Sequence, residues 1–442
     1  MRRVRTGLLA FLGCGVASLL ASSPAWAEDA AKVDSGDTAW MLTATALVLM
    51  MTAPGVALFY CGLVRSKNVL ATIMQSFILV ALISVQWVLW GYSLAFGPDH
   101  AHLIGGLGWF GLNGVGASPN PDYAPTIPHQ CFMIYQCMFA VITPALITGA
   151  FAERMKFSAF VLFSLLWTTL IYDPLAHWVW GNGGWIGTKG GMGALDFAGG
   201  TVVHLSSGAS ALATVLVMGK RLGYPKERMV PHNLPLAVVG AAFLWVGWFG
   251  FNAGSALQSG SLATSAFVAT NSATAAAVLS WIYSDWVTKG KPTVLGAASG
   301  AVAGLVAITP ASGYVGPVSA LAIGAVAGVV CSMACNLKGR FGYDDSLDVV
   351  GIHGVGGAAG ALMTGLFASK IVNPAGADGL FFGNGAQLGI QAIAVAVTAA
   401  YCFLGAVILL KVVDVVLGLR VPEEDEFAGL DLSQHGEKAY TP

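Results

Sequence analysis

Two histidines, His204 and His353, fall inside apolar, glycine-rich stretches, while the other six lie in loops, near the ends of apolar stretches or in the C-terminal tail. A neutral imidazole donates from one ring nitrogen and accepts at the other, so a buried pair can share one proton along a pore. Two other chemistries are open to such a pair: each ring could bond a neighbouring helix, or the two could ligate a b-type haem axially. Asp173 sits four residues before His177, so the two share a helix face and suit an interhelical or vestibule hydrogen bond. The seven cysteines lie within or at the ends of apolar stretches and read as packing residues, with no zinc spacing and no disulfide framework. No phosphate-cradling loop and no basic nucleic-acid surface are present in the sequence.

The histidines belong to a weak internal repeat. Asp196-Phe-Ala-Gly-Gly-Thr-Val-Val-His204 stands against Asp345-Ser-Leu-Asp-Val-Val-Gly-Ile-His353, each aspartate eight residues before its histidine. Gly208-Ala209 and Gly357-Ala358 follow at the same distance of four. Symmetric ionisable groups in apolar segments favour a transport pathway at a repeat interface over two unrelated hydrogen bonds. At ~1.5 Å per residue, His204 should lie ~10 Å from the outer edge of its apolar window and His353 ~6 Å from the inner edge. Those depths predict that the two rings are apart unless their helices begin recessed.

The elements that must position these groups follow from composition. Of 442 residues 56% are apolar and only 10% charged, against roughly 25% charged in a soluble protein. With a mean hydropathy of +0.72, the chain is read as a polytopic membrane protein. A spanning helix needs ~20 apolar residues. Nine charge-free windows lie between residues 38 and 410, and those over 229–284 and 292–337 break at 254–260 and 309–313, which predicts eleven spans. The histidines lie in spans five and ten, so each closes a group of five, and an odd group inverts the next.

Arg2, Arg3 and Arg5 precede an apolar run that ends in Ala25-Trp26-Ala27, a signal-peptide pattern that predicts cleavage after Ala27. With the mature N-terminus outside, twelve Lys and Arg fall in inner loops and two, Lys189 and Lys370, in outer ones. The expected organisation is a signal peptide over 1–27, a first five-helix repeat over 38–219, a second, inverted one over 229–369, an eleventh helix over 379–418, and a cytoplasmic tail over 419–442. The tail's Pro422-Glu-Glu-Asp-Glu run suits either a solvated acidic end or a regulatory docking segment.

At Asp196–His204 the chain closely resembles the ammonium transporter family (Amt/Mep/Rh), the Amt branch in particular. Pro54-Gly-Val-Ala-Leu-Phe-Tyr-Cys-Gly-Leu-Val-Arg65, Ala176-His-Trp-Val-Trp-Gly181, Trp245-Val-Gly-Trp-Phe-Gly-Phe-Asn-Ala-Gly-Ser255 and Asp344-Asp-Ser-Leu-Asp-Val-Val-Gly-Ile-His-Gly-Val-Gly-Gly357 agree with it, and the likeness runs from about residue 38 to the tail. The resemblance implies an all-α fold of eleven transmembrane helices in two inverted halves, and a bacterial inner-membrane transporter rather than an enzyme. It implies a substrate site at Trp180, Phe139 and Ser255, with Asp196 shaping it; a gate of Phe139 and Phe251, with Tyr135 and Trp248 nearby; and a pore lined by His204 and His353. Aromatic faces suit a cation, each contact being worth ~0.5–2 kcal/mol, and a serine hydroxyl accepts the N–H bond that potassium lacks. The implied partners are ammonium or ammonia, a homotrimer and a PII-type signalling protein at the cytoplasmic face, with no metal, cofactor or nucleic acid. A competing function is an ammonium sensor in which flux is incidental.

Overall fold

The computed structural model describes residues 33–440; the expected signal peptide, 1–27, lies outside them. Among the described residues ten helices are long and apolar enough to cross a membrane. They are α1 (Ser35–Leu63), α2 (Ser66–Phe96), α3 (His129–Phe151), α4 (Phe157–Trp180), α5 (Gly200–Met218), α6 (Leu234–Ala256), α7 (Ser261–Lys289), α9 (Pro317–Phe341), α10 (Val350–Phe367) and α11 (Gly385–Leu417). Between α7 and α9 lies α8 (Val294–Ile308), apolar but only 15 residues long. At ~1.5 Å per residue it spans about 22 Å, less than the ~30 Å of hydrocarbon, and a buried non-helical turn over 309–313 follows it. The sequence count of eleven is thus ten spanning helices and one shorter helix. Both windows expected to break do so, between α6 and α7 and between α8 and α9.

Hydrogen bonds between turns sort the helix ends into two groups. At one end Asp34 N donates to Thr126 O (2.8 Å), Ser259 N to Asp37 Oδ1 (2.8 Å), Phe197 N to Pro310 O (3.1 Å) and Ser369 N to Tyr314 O (2.9 Å). This loop end carries the long connection over 97–128, which folds into two antiparallel hairpins, β1 (Asp99–His100) with β2 (Ile104–Gly105) and β3 (Pro119–Asn120) with β4 (Ala124–Pro128). The connection is pinned to α4, where His177 Nε2 meets Asp99 Oδ1 at 2.9 Å and Trp178 Nε1 donates to Leu103 O at 2.6 Å. Asp173 turns elsewhere and accepts from Gln86 Nε2 of α2 at 2.7 Å, so the two residues that share a helix face hold different neighbours.

The opposite, tail end is held by buried charge. Arg65 Nε and backbone N donate to Glu153 at 2.9 and 2.7 Å, and Arg221 reaches both Asp344 (2.8 Å) and Glu153 (3.3 Å). Arg154, with no exposed surface, donates to Asp344 O and Ser346 Oγ at 2.7 Å each. Burial alone would raise both carboxyls, but Arg221 and its neighbours outweigh it and hold Glu153 and Asp344 below the ordinary carboxylate range. Several of the loop cations that mark orientation in the sequence are therefore structural ties rather than solvated markers. Isolated buried charges are expensive, and a shared network satisfies them.

The tail is docked through part of its length, while Glu423 and Glu424 are exposed. It forms α12 (Glu423–Ala428) and α13 (Leu430–His435). Glu426 is buried, accepting from Leu222 N (2.7 Å) and Arg420 (2.6 Å), while Asp431 accepts from Ala71 N (2.8 Å). Large apolar side chains exposed on α7, α9 and α11, such as Leu279, Val326, Leu404 and Ile408, suit a lipid-facing surface.

Candidate functional site

The site lies where α5 and α10 cross in opposite directions. Both helices open on a π-helical turn, Gly200–Leu205 and Val350–Val355, and the chain leading into each is largely buried. Both starts are therefore recessed, which removes the separation that window depth predicts. Crossing is possible because α5 lacks a side chain at the contact: a Cβ on Gly208 would stand 2.2 Å from Gly354 Cα. His204 and His353 consequently meet, Nδ1 to Nδ1 at 3.3 Å, with ring centroids 5.3 Å apart and planes 25° off parallel.

Only one of two facing Nδ1 atoms can carry the shared hydrogen. One ring is then the Nδ1–H tautomer with a lone pair at Nε2, and the other presents Nε2–H. The Nε2 of His204 is buried and has no partner in the protein, so it is free for a molecule in the pathway. Rings in such contact leave no gap for a macrocycle, and the pair does not fit axial ligation of haem.

Above the histidines the aromatic residues stack in a column. His204 lies 5.3 Å from Trp248 and 6.0 Å from Phe251, and Phe251 stacks on Phe139 at 4.2 Å and 26°. Phe139 in turn meets Trp180 edge-on at 5.9 Å. Trp248 is fixed by a 2.8 Å bond from its Nε1 to Thr309 Oγ1 in the turn after α8. Tyr135 donates to Phe251 O at 2.8 Å and has its hydroxyl 3.2 Å from Ser255 Oγ.

Beyond Phe139 a cavity of about 180 Å³ opens at the loop end, lined by Trp180, Phe139, Ser255 and Asp196 among others. All four sequence-predicted substrate residues are brought together there. Ser255 Oγ donates its hydrogen to Phe251 O at 2.8 Å, which leaves its lone pairs as acceptors. Trp180 Nε1 donates to Asp196 O at 2.9 Å, which sets the indole plane. The Asp196 carboxylate accepts from the backbone N–H groups of Gly199, Gly200 and Thr201 at 2.7–2.8 Å, from the more distant Val202 N–H, and from the Thr201 hydroxyl. It caps the π turn of α5 and holds Trp180 through its own carbonyl. Burial pushes this carboxyl above its ordinary value, and the five donors oppose that.

A second cavity of about 280 Å³ lies at the tail end, lined in part by Phe59, Leu347, Asp348 and Ile352, the last next to His353. These residues, and Tyr123, Phe132, Tyr314 and Lys189 around the loop-end cavity, are not identified from sequence. They are ordinary apolar, loop or turn residues in one dimension, and no spacing marks them.

A helical membrane protein with a cavity at each end, and an aromatic and imidazole column between them, has the architecture of a transport pathway. Comparison with known proteins makes this particular. The profile described as Ammonium Transporter Family matches residues 39–440. The chain is 53% identical to an ammonium transporter of Bacillus subtilis (strain 168) over 406 residues, covering 92% of this chain and 98% of the relative. Its fold superposes on the crystal structure of Candida albicans Mep2 with a TM-score of 0.84 at 39% identity, covering 92% and 91% of the two chains. A solved sensor Amt protein matches with a TM-score of 0.82 at 31% identity, over 90% and 98%. The chain belongs to the ammonium transporter family.

Proposed function

We propose that this protein moves ammonium into the cytoplasm, as ammonia plus a proton, through the column between the two cavities. In this reading the loop end faces outward and the tail end the cytoplasm, supported by the twelve-to-two division of inner and outer loop cations. The two halves, 38–219 and 229–369, form the inverted repeat whose interface is the pathway. Ammonium settles against Trp180 and Phe139 and donates to Ser255 Oγ. It surrenders its proton near the stacked Phe139 and Phe251 rings, because a bare cation gains too little there to replace its water. The proton follows separately, accepted by the free imidazole nitrogen and passed on through the hydrogen that His204 and His353 share. Ammonia then passes the histidines, whose lumen-facing nitrogens offer one donor and one acceptor.

The observation that carries this reading is the direct His204–His353 contact beneath the phenylalanine pair, with one buried imidazole nitrogen left without a protein partner. The test is an ammonium pulse on proteoliposomes adsorbed to a solid-supported membrane. A transient current that saturates with ammonium is expected; flux without charge movement would instead give a neutral ammonia channel.

A sensor role is favoured by one observation, the docked tail, whose Glu426 and Asp431 tie it to the loops beside the exit. Growth on low ammonium at acidic pH, with and without the gene, separates the roles, since loss of growth requires flux. The same reading includes a homotrimer in the cell membrane and a PII-type protein at the tail end, both testable by mass measurement of the detergent-solubilised complex.

A further inference from the structure

Lys189 stands in the wall of the loop-end cavity, and the pathway described so far does not use it. Its Nζ lies 4.4 Å from the centroid of the Tyr123 ring and donates to Asp122 O at 2.6 Å. Tyr123 is not free to turn. Its hydroxyl donates to Phe96 O at 2.7 Å and accepts from Asn182 N at 3.0 Å, and its ring stacks on Phe132 at 5.0 Å. A fixed aromatic face in a partly enclosed cavity is a seat for a cation, and here the chain's own ammonium group occupies it.

We propose that Lys189 is an affinity-determining residue for the transported cation. Its resident charge, parked on Tyr123, holds a free cation off the outer vestibule and raises the ammonium concentration needed to fill the seat at Trp180 and Ser255. The inference rests on the proposed reading of this cavity as the ammonium seat.

The charges around Lys189 are few. Asp122 and Tyr123 face it from the long connection, and Asp196 and Tyr314 share the cavity. Asp99 lies behind Gly183, whose N–H donates to Lys189 O at 2.8 Å. The Asp196 carboxylate is already saturated by backbone donors, so Lys189 is the one cation among the lining residues. Burial pushes the Lys189 ammonium down to about 8, against the opposing pull of Asp122. The charge is therefore complete at low pH and is lost as pH rises through about 8.

The test measures ammonium-evoked currents for Lys189→Gln, Lys189→Met and Lys189→Arg, with concentrations expressed as the ammonium ion. Removing one charge across a cavity of this size is expected to lower half-saturation about threefold in dilute salt at neutral pH. The maximal current should be unchanged, and Lys189→Arg should behave as the wild type. The gap should close above about pH 9, and also in about 0.5 M salt, where screening is strong. Half-saturation that is unmoved or raised in Lys189→Gln, or shifted alike in Lys189→Arg, would make Lys189 a loop tether and overturn the proposal. Trp180→Leu, measured in parallel, separates the two readings. If it raises half-saturation while Lys189→Gln does nothing, the inference about Lys189 falls alone; if neither variant moves it, the seat itself falls with it.

Discussion

Asp196 and Asp345 hold equivalent places, each eight residues before one of the two paired histidines, yet the structure uses them differently. Asp196 receives five donors, and both of its oxygens are engaged. Asp345 receives Val350 N at 2.8 Å on one oxygen, and its other oxygen is buried without a partner. Lys338, its closest cation, spends one bond on the Asp345 carbonyl (2.8 Å) and pairs with Asp348 at 2.6 Å. Burial pushes the Asp345 carboxyl up to about 6, with Lys338 pulling the other way. The repeat thus preserves the helix start and the histidine, while the carboxylate in front of it is a finished brace on one side and an unfinished, titratable group on the other.

The largest effect expected from breaking this pairing is in Asp196→Ala. It strips four backbone N–H groups and a hydroxyl of their acceptor and unsettles the backbone that carries the carbonyl bonded to Trp180, so a loss of about 3–5 kcal/mol is expected. Thermal unfolding in detergent should register it, together with loss of ammonium current. Next comes the glycine contact. A Cβ on Gly208 meets Gly354 backbone at 2.2 Å, whereas a Cβ on Gly354 comes no closer than 3.4 Å to Gly208. Gly208→Ala should cost about 1–3 kcal/mol, as overpacking does, and should part the histidines. Gly354→Ala should be nearly silent in both stability and flux.

An effect of opposite sign, confined to stability, is expected at Asp345. A folded-state value near 6 means that the folded chain holds this proton more tightly than the unfolded chain, whose carboxyl titrates near ~3.9. Stability therefore falls as pH rises from about 4 to about 6, and the penalty persists above that range. Asp345→Asn removes it, so the variant should melt higher than the wild type at neutral pH and equal to it near pH 4. A variant that melts lower at neutral pH would show the carboxylate to be paired in the membrane.

The sequence made the fold legible because lipid imposes a strict rule on it. Apolar windows of spanning length and the Lys and Arg between them located ten long helices and both internal breaks, and the resemblance located the four residues that meet in the loop-end cavity. Three features were not legible. The short α8 reads as a full span because the charge-free run before the break, 292–308, lies at the lower limit of spanning length, ~17–25 residues. The histidine contact was hidden because α5 and α10 start recessed, and a count of residues from a window's edge cannot see a crossing made by Gly208 against the Gly354 backbone. The tail reads as either a solvated end or a docking segment, and the choice between them was not legible because Leu222 and Ala71, which bind it, are far away in sequence.

The central claim is that ammonia, its proton given up near Phe139 and Phe251, passes at the contact of His204 and His353, and that this contact excludes ions that cannot give up a proton. The direct measurement compares potassium and ammonium currents in proteoliposomes of the wild type and His204→Asp. The wild type should pass ammonium-dependent charge and no potassium, while the variant, with a carboxylate in place of the shared-proton pair, should admit potassium. Potassium exclusion unchanged in His204→Asp would contradict the account.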